Sequence, residues 1–470
     1  MSGLFSTLNS SSMALNAHSR AIETTGKNLA NVNNPNYARQ RVIYGDRGTV
    51  QTPDGVESLG LEVLGVQQLR DTLLDRQLMR EIGLSGSLDT QRDTLQRTQA
   101  GLGQSINGGA DVSATGSTSG GISAALDNFF NAFQDLASRP TDVGARQTLL
   151  QKAATLTDTL RETDTRLAQV QTDIDTQVTA GVTQANTLLT TIADLNSQIS
   201  RLEVAHPGAA VDLRDQRQAR LEELAAILPV NVTDIGGGNI KVAVKDASNA
   251  DIVLVNGPTV SGPVVFTGTG LTGGTPATAI ALSGGSIDGA LQARDGAVQT
   301  LRDNLDLFTE QLVTSVNGAY NPSATTGADF FDPAGLTAGT IALQSGLTAS
   351  TLVTGGSGAA GDNTLALAVA GLASQTFSTG SGDVIDGTLG QFYNGSVSNL
   401  GQALATTTAR ASDQESIKNL VRNQRDTVSG VSMDEEMADL VKFQRAFQAS
   451  SRVFSVVDDL LDTVVNRLGH

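Results

Sequence analysis

Residues 430–468 read GVSMDEEMADLVKFQRAFQASSRVFSVVDDLLDTVVNRL. Within them Leu440, Phe443, Phe447, Ser450, Phe454, Val457, Leu461, Val464 and Leu468 step by three and four without a break, and only Ser450 is polar. That spacing is the seam of a coiled-coil helix sustained for about four heptads. Gly430 breaks whatever precedes the helix, and Ser432-Met433-Asp434-Glu435 fits the S-x-x-E capping box. Asp434, Glu435 and Glu436 fall where the helix dipole is positive, so this acidic run reads as a helix start rather than as catalytic carboxylates.

The other end of the chain carries a matching half-seam. Leu8, Leu15, Ile22 and Leu29 recur every seven residues, with Leu4, Ser11, His18, Thr25 and Val32 alternating between them. The pattern then runs into TTGKNLANVNNPNYARQR (24–41), where Pro35 lacks an N–H and restricts Asn34, so the helix must stop. In residues 1–50 Arg20, Lys27, Arg39, Arg41 and Arg47 face only Glu23 and Asp46. In residues 431–470 seven acidic side chains face Lys442, Arg445, Arg452 and Arg467. Opposite charge and matched seams predict that the two ends pair, within one chain or between chains. Tyr37 and Arg39, just past the stop, read as the link from the terminal helix to the rest of the molecule and as a point of contact with a neighbouring subunit.

Composition narrows the chemistry. The chain has 470 residues, enough for several domains, a net charge of -17, no cysteine and only three histidines, His18, His206 and His470. There is no His/Cys cluster for a transition metal and no thiol chemistry, and a chain this acidic repels a nucleic-acid backbone. The first residues lack a basic stretch followed by an apolar one, and no run of about 18 apolar residues occurs, so neither a cleaved signal peptide nor membrane insertion is expected. Gly268-Thr-Gly-Leu-Thr-Gly273 fits G-x-G-x-x-G, yet Pro276 and strand-like ATAIAL follow where a phosphate-binding helix would have to start. It reads as a turn, and no cofactor, metal or catalytic residue is expected.

Between the ends the spacing alternates between two periods. Ala185, Leu188, Ile192, Leu195, Ile199 and Leu202 keep helical stepping, as do Leu291, Val298, Leu301, Leu305, Phe308 and Leu312, the latter up to a stop at Asn317-Gly318. LRDQRQARLEELAAIL is a further helix ending at Pro229. After Pro229, VNVTDIGGGNIKVAV and DIVLVNGPTVSGPVVF alternate apolar and polar residues around Gly and Pro turns, the signature of short strands. The predicted fold is mainly α with β inserts: a terminal coiled-coil helix and connector (1–45), an elongated helical bundle (46–229, 286–321 and 362–430), a mainly β inserted domain (230–285), a Gly/Thr-rich insert (322–361) and a C-terminal coiled-coil helix (431–470). Both inserts are expected to face outward.

NLANVNNPNYARQRV (28–42) resembles the N-terminal signature shared by flagellar axial proteins. Residues 430–468 resemble, more specifically, the hook-associated protein 1 family of hook–filament junction proteins, with Met433, Phe447 and Ser451 standing where that family usually has Leu, Tyr and Ala. VDLRDQRQARLEELAAILPVNV (211–232) and residues 284–321 agree with it. The resemblance implies a structural, non-enzymatic component of the bacterial flagellum, extracellular and exported through the flagellar type III route without a cleaved signal peptide. It implies partners too: further copies in a ring or helical layer, the hook protein, a second junction protein, and a cytoplasmic export chaperone on the C-terminal helix. Another axial protein of hook or rod type is the nearest alternative, and a secreted adhesin or effector a more distant one.

Overall fold

A computed structural model describes residues 2–52, 55–58, 60–102, 121–357, 359 and 361–463. Helix α1 (Ser2–Ala30) ends where the asparagines and Pro35 forbid its continuation. Strands β1 (Gln40–Asp46), β2 (Thr49–Thr52), β3 (Gly55–Ser58) and β4 (Leu61–Gln68) follow, before α2 (Thr72–Gly101), α3 (Ile122–Ser138), α4 (Val143–Glu203) and α5 (Val211–Ala225). A β region then holds β5 (Asn231–Gly236), β6 (Asn239–Lys245), β7 (Asp251–Asn256), β8 (Thr259–Val260), β9 (Val265–Phe266), β10 (Leu271–Gly273) and β11 (Thr278–Ala279). The chain returns through α6 (Ser286–Ala293), a π turn (Arg294–Val298) and α7 (Gln299–Tyr320). It closes with α8 (Thr364–Gly371), α9 (Leu389–Ser429) and α10 (Met433–Asp462).

These elements form two compact units, each assembled from separate stretches of chain. The first comprises 1–86, 181–285 and 413–470; the second comprises 87–180 and 286–412. In the first unit β5–β8 make a four-stranded antiparallel sheet in sequence order, with Val242, Val244, Leu254 and Val255 buried. Two asparagines of α4 fasten the β region. Asn186 accepts from the Val264 N–H and donates to its carbonyl, and Asn196 donates to the carbonyls of Ile240 and Gly257. The glycine-rich stretch forms the turn after β9, where Thr267 N–H donates to the Gly270 carbonyl, and then β10 itself, so it opens a strand and not a helix.

The second unit is organised by aromatic side chains. On α3 Ile122, Leu126, Phe129, Phe133 and Leu136 fall on one buried face at helical spacing. Phe129 and Phe133 meet edge-on at 5.1 Å between ring centroids, Phe330 and Phe331 do so at 5.1 Å, and Tyr320 meets Phe330 at 5.4 Å. Edge-to-face pairs of this kind add to the stabilisation from area burial.

Four features differ from the sequence expectations. Residues 49–52, 55–58 and 61–68 are strands rather than the beginning of the bundle, and the first bundle helix starts only at Thr72. Helix α7 passes Asn317-Gly318 and ends at Tyr320, because another turn buries Val316 and Tyr320 and lets Asn317 bond the Phe330 and Phe331 backbone. Residues 322–361 contain no strand among the described residues and are anchored to the core rather than projecting as a separate outward insert. Phe330, Phe331, Ala338, Ile341 and Leu352 are all buried in the core of the second unit, which a surface excursion would leave wet. Helix α5 ends at Ala225, and a turn carries the chain on to Pro229.

Candidate subunit interface

Within the first unit α1 and α10 pack against each other, and β1 and β4 lie against α1. Small and polar residues form the buried face of α1: Ser11, Ala17, Ala21, Thr24, Thr25 and Asn28. The heptad leucine positions Leu8, Leu15, Ile22 and Leu29 are only half-buried. On α10 Val457 and Leu461 are buried, Leu440, Phe443 and Phe454 are half-buried, and Phe447 is exposed. Val464 and Leu468 lie outside the described residues.

The two helices are joined by a buried polar hub. Asn28, in the last turn of α1, donates from Nδ2 to the Gln40 carbonyl at 2.8 Å and to Glu436 Oε2 at 2.9 Å. Its Oδ1 accepts from the Tyr37 hydroxyl at 2.8 Å and from the Gln40 N–H at 3.0 Å. All four hydrogen-bonding sites of that amide are thereby filled, as a buried asparagine requires. Glu436 is 2% exposed, and its Oε1 accepts from Arg39 Nε at 2.7 Å. Arg39 also reaches Glu435 at 2.7 Å, and its backbone N–H donates to the Ser429 carbonyl at 2.8 Å. Arg425 donates to the Pro35 carbonyl, so the connector that follows α1 is held by the end of α9 as well.

The electrostatics follow from this geometry. Burial, then Asp215, Asp212 and Glu436, push the Tyr37 hydroxyl well above its usual range, so it stays protonated and keeps donating to Asn28. Burial disfavours the Arg39 charge, but Glu436 and Glu435 outweigh it and hold the guanidinium above its ordinary value. Tyr37 and Arg39, expected to touch a neighbouring subunit, are both engaged inside their own chain. Replacing Tyr37 by phenylalanine leaves Asn28 Oδ1 with one donor instead of two, and is expected to cost about 1 kcal/mol, read as faster hydrogen exchange at residues 24–41.

The start of α10 sits where the sequence places it, but without the reciprocal cap. Ser432 is the N-cap residue and makes no side-chain cap hydrogen bond. Glu435 turns instead to Arg39, since a bond between opposite charges outcompetes one to a neutral backbone N–H. The hub residues Asn28, Gln40 and Glu436 escape a reading of seams alone. Their trace in the sequence is an asparagine in the last turn of an otherwise apolar-patterned helix, matched by surplus charge of opposite sign at the two ends.

Opposite faces of α10 remain uncovered. Met433, Met437 and Val441 are exposed on one flank of its seam; Val453, Val456 and Leu460 are exposed on the other. On α1 Phe5 is exposed.

Comparison with known proteins gives consistent matches. Residues 111–331 match the family model described as the flagellar hook-associated protein FlgK helical domain, and residues 423–468 match that of the flagellar basal body rod FlgEFG protein C-terminal region. The flagellar hook-associated protein 1 of Bacillus subtilis is 25% identical over 100% of this chain and 99% of its own length. The Salmonella typhimurium protein of the same name is 29% identical over 54% of this chain and 42% of its own length. That of Escherichia coli is 25% identical over 69% of this chain and 60% of its own length. Among solved structures, the flagellar hook junction protein FlgK from Burkholderia pseudomallei aligns with a TM-score of 0.45 and 22% identity over 55% of this chain and 46% of that one.

Proposed function

Since the chain belongs to the flagellar hook-associated protein 1 family, and is a structural component of the flagellar axis, we propose that it forms the junction between hook and filament by stacking its paired terminal helices with those of neighbouring copies. The observation that carries this reading is the pair of apolar patches on α10. With α1 against the seam, each flank presents a half-exposed row, such as Val456 at 59% and Met437 at 53%. A helix pair standing free in water has no use for apolar side chains on both flanks, whereas a pair set between two neighbours in the wall of a tube buries both. Each large apolar side chain so buried contributes about 1.5–3 kcal/mol.

The seam residues Leu8, Leu15, Ile22 and Leu29, half-buried in the single chain, then complete their burial in the stack. Copies of this chain form a ring or helical layer; the hook protein lies on one side and a second junction protein on the other. Export proceeds without a cleaved signal peptide to the cell exterior, with a cytoplasmic chaperone covering the exposed flanks of α10 until assembly.

Two variants test the role. Deleting residues 431–470 is expected to leave hooks without filaments and filament protein shed into the medium, as seen by electron microscopy of cells and assay of the supernatant. Val456→Glu with Leu460→Glu, both surface positions, is expected to leave the folded monomer intact by circular dichroism and to give the same bald hooks. Normal filaments on the hooks of both variants refute the junction role.

A further inference from the structure

Arg217, on α5, is 6% exposed, and its Nη1 donates to Asn196 Oδ1 at 2.7 Å and to the Gly238 carbonyl at 2.6 Å. Its Nε and Nη2 have no hydrogen-bond partner among the described residues. The other buried arginines there are charge-compensated: Arg294 pairs with Asp175 and Asp295, and Arg425 with Glu222 and Asp426. Arg217 has no carboxylate within ion-pair distance; burial, then the neighbouring Arg214 cation, lower its pKa to about 10 against the weaker pull of the more distant Asp234 and Glu203. A buried cation with no directly paired carboxylate is costly, and a fold that keeps one offers it to an anion.

The surroundings support a built site. Arg217 lines a cleft of about 130 Å³ together with Gln68, Arg70, Arg76, Arg214 and Asp234. Arg70 is held by Asp75 and Asp215, and Arg214 by Glu203. Arg76 is exposed and carries no ion pair among the described residues, so it and Arg217 are the cations left over. Asp234, the opposing carboxylate, accepts from the Gly236 N–H and lies outside ion-pair distance of every described cation. The cleft has room for a carboxylate or a phosphate group.

We propose that this cleft binds a small oxyanion, a carboxylate or phosphate group, between the free fork of Arg217 and the guanidinium of Arg76. Planar guanidinium forks suit two-oxygen acceptors, and bonds between ionised partners are the strong ones. The occupant is either a free inorganic anion or a carboxylate side chain of a neighbouring copy, which a chain of net charge -17 supplies in abundance. The site stands or falls independently of the junction role, because it is measurable on the dilute full-length protein.

Inorganic phosphate titrated at constant ionic strength is expected to raise the melting temperature saturably. Arg76→Ala, a surface change, is expected to leave the phosphate-free melting temperature unaltered and to weaken apparent phosphate affinity by about tenfold. Arg217→Lys keeps the charge but loses the fork, and is expected to weaken it as well. If the natural occupant is a neighbour's carboxylate, phosphate also lowers self-association in sedimentation, and Arg76→Ala does so without phosphate. Self-association unchanged in both points to the free anion. A phosphate response equal in the parent protein and Arg76→Ala, or absent from both, overturns the site.

Discussion

Replacing Glu436 by alanine is expected to destabilise the first unit by about 3 kcal/mol, through loss of the buried acceptor shared by Arg39 and Asn28. Glu436 Oε1 and Oε2 bond to those two side chains at 2.7 and 2.9 Å, and the carboxylate has almost no contact with water. Removing it strands the Asn28 amide and leaves Arg39 with Glu435 and the more distant Asp439. Those remaining partners keep the cost at the low end for a broken buried pair. Glu435→Ala is the internal control, since its side chain is 63% exposed and an exposed ion pair contributes less than about 1 kcal/mol. Because the protein has two units, a single unfolding midpoint does not isolate the effect. Hydrogen exchange at residues 24–41 and 433–445 does, and equal protection in the two variants rules out the hub as the joint between the terminal helices.

The largest effect in the second unit is expected from Gly289→Ala. Helix propensity alone favours alanine by about 1 kcal/mol. At this position, however, an added Cβ would lie 1.9 Å from the Ser87 carbonyl oxygen, a backbone atom that no rotamer change can move aside. Ser87 Oγ also donates to Asp288 Oδ2 at 3.0 Å, so α2 and α6 are locked at this close approach. Forced separation costs on the order of 3 kcal/mol, which reverses the sign of the propensity gain. Gly395→Ala on α9 isolates the propensity term, since nothing lies within 4 Å of its missing Cβ, and is expected to stabilise by about 0.5–1 kcal/mol. Hydrogen exchange in α2, α6 and α9 checks both signs; a Gly289→Ala protein as protected there as its parent means the two helices are not held this closely.

How much of this was legible depends on whether a residue's role is periodic. The α10 seam, the end of α1 at the asparagines and the β5–β8 strands declare themselves, because a helix face or a pleated strand repeats every few residues. The β1–β4 strands hide, because they are short, half-exposed and interrupted by Gly45, Gly48 and Gly65, so no clean alternation survives. Residues 322–361 hide for a different reason. Phe330, Phe331, Ile341 and Leu352 anchor irregular backbone to the core at spacings that match neither a helix nor a strand. The hub is hardest of all: Asn28 and Glu436 are 408 positions apart, and only net charge at the two ends hints that they meet.

That separation has a consequence in time. The second unit draws on nothing beyond residue 412, whereas the first needs residues 413–463 to meet a helix that begins at Ser2. A chain that emerges from its N-terminus folds domain by domain as each becomes complete. The second unit is complete without α10, whereas Asn28 at the end of α1 gains its Glu436 partner only when α10 is present. A truncated product lacking Glu436 therefore leaves the buried amide of Asn28 without one of its partners.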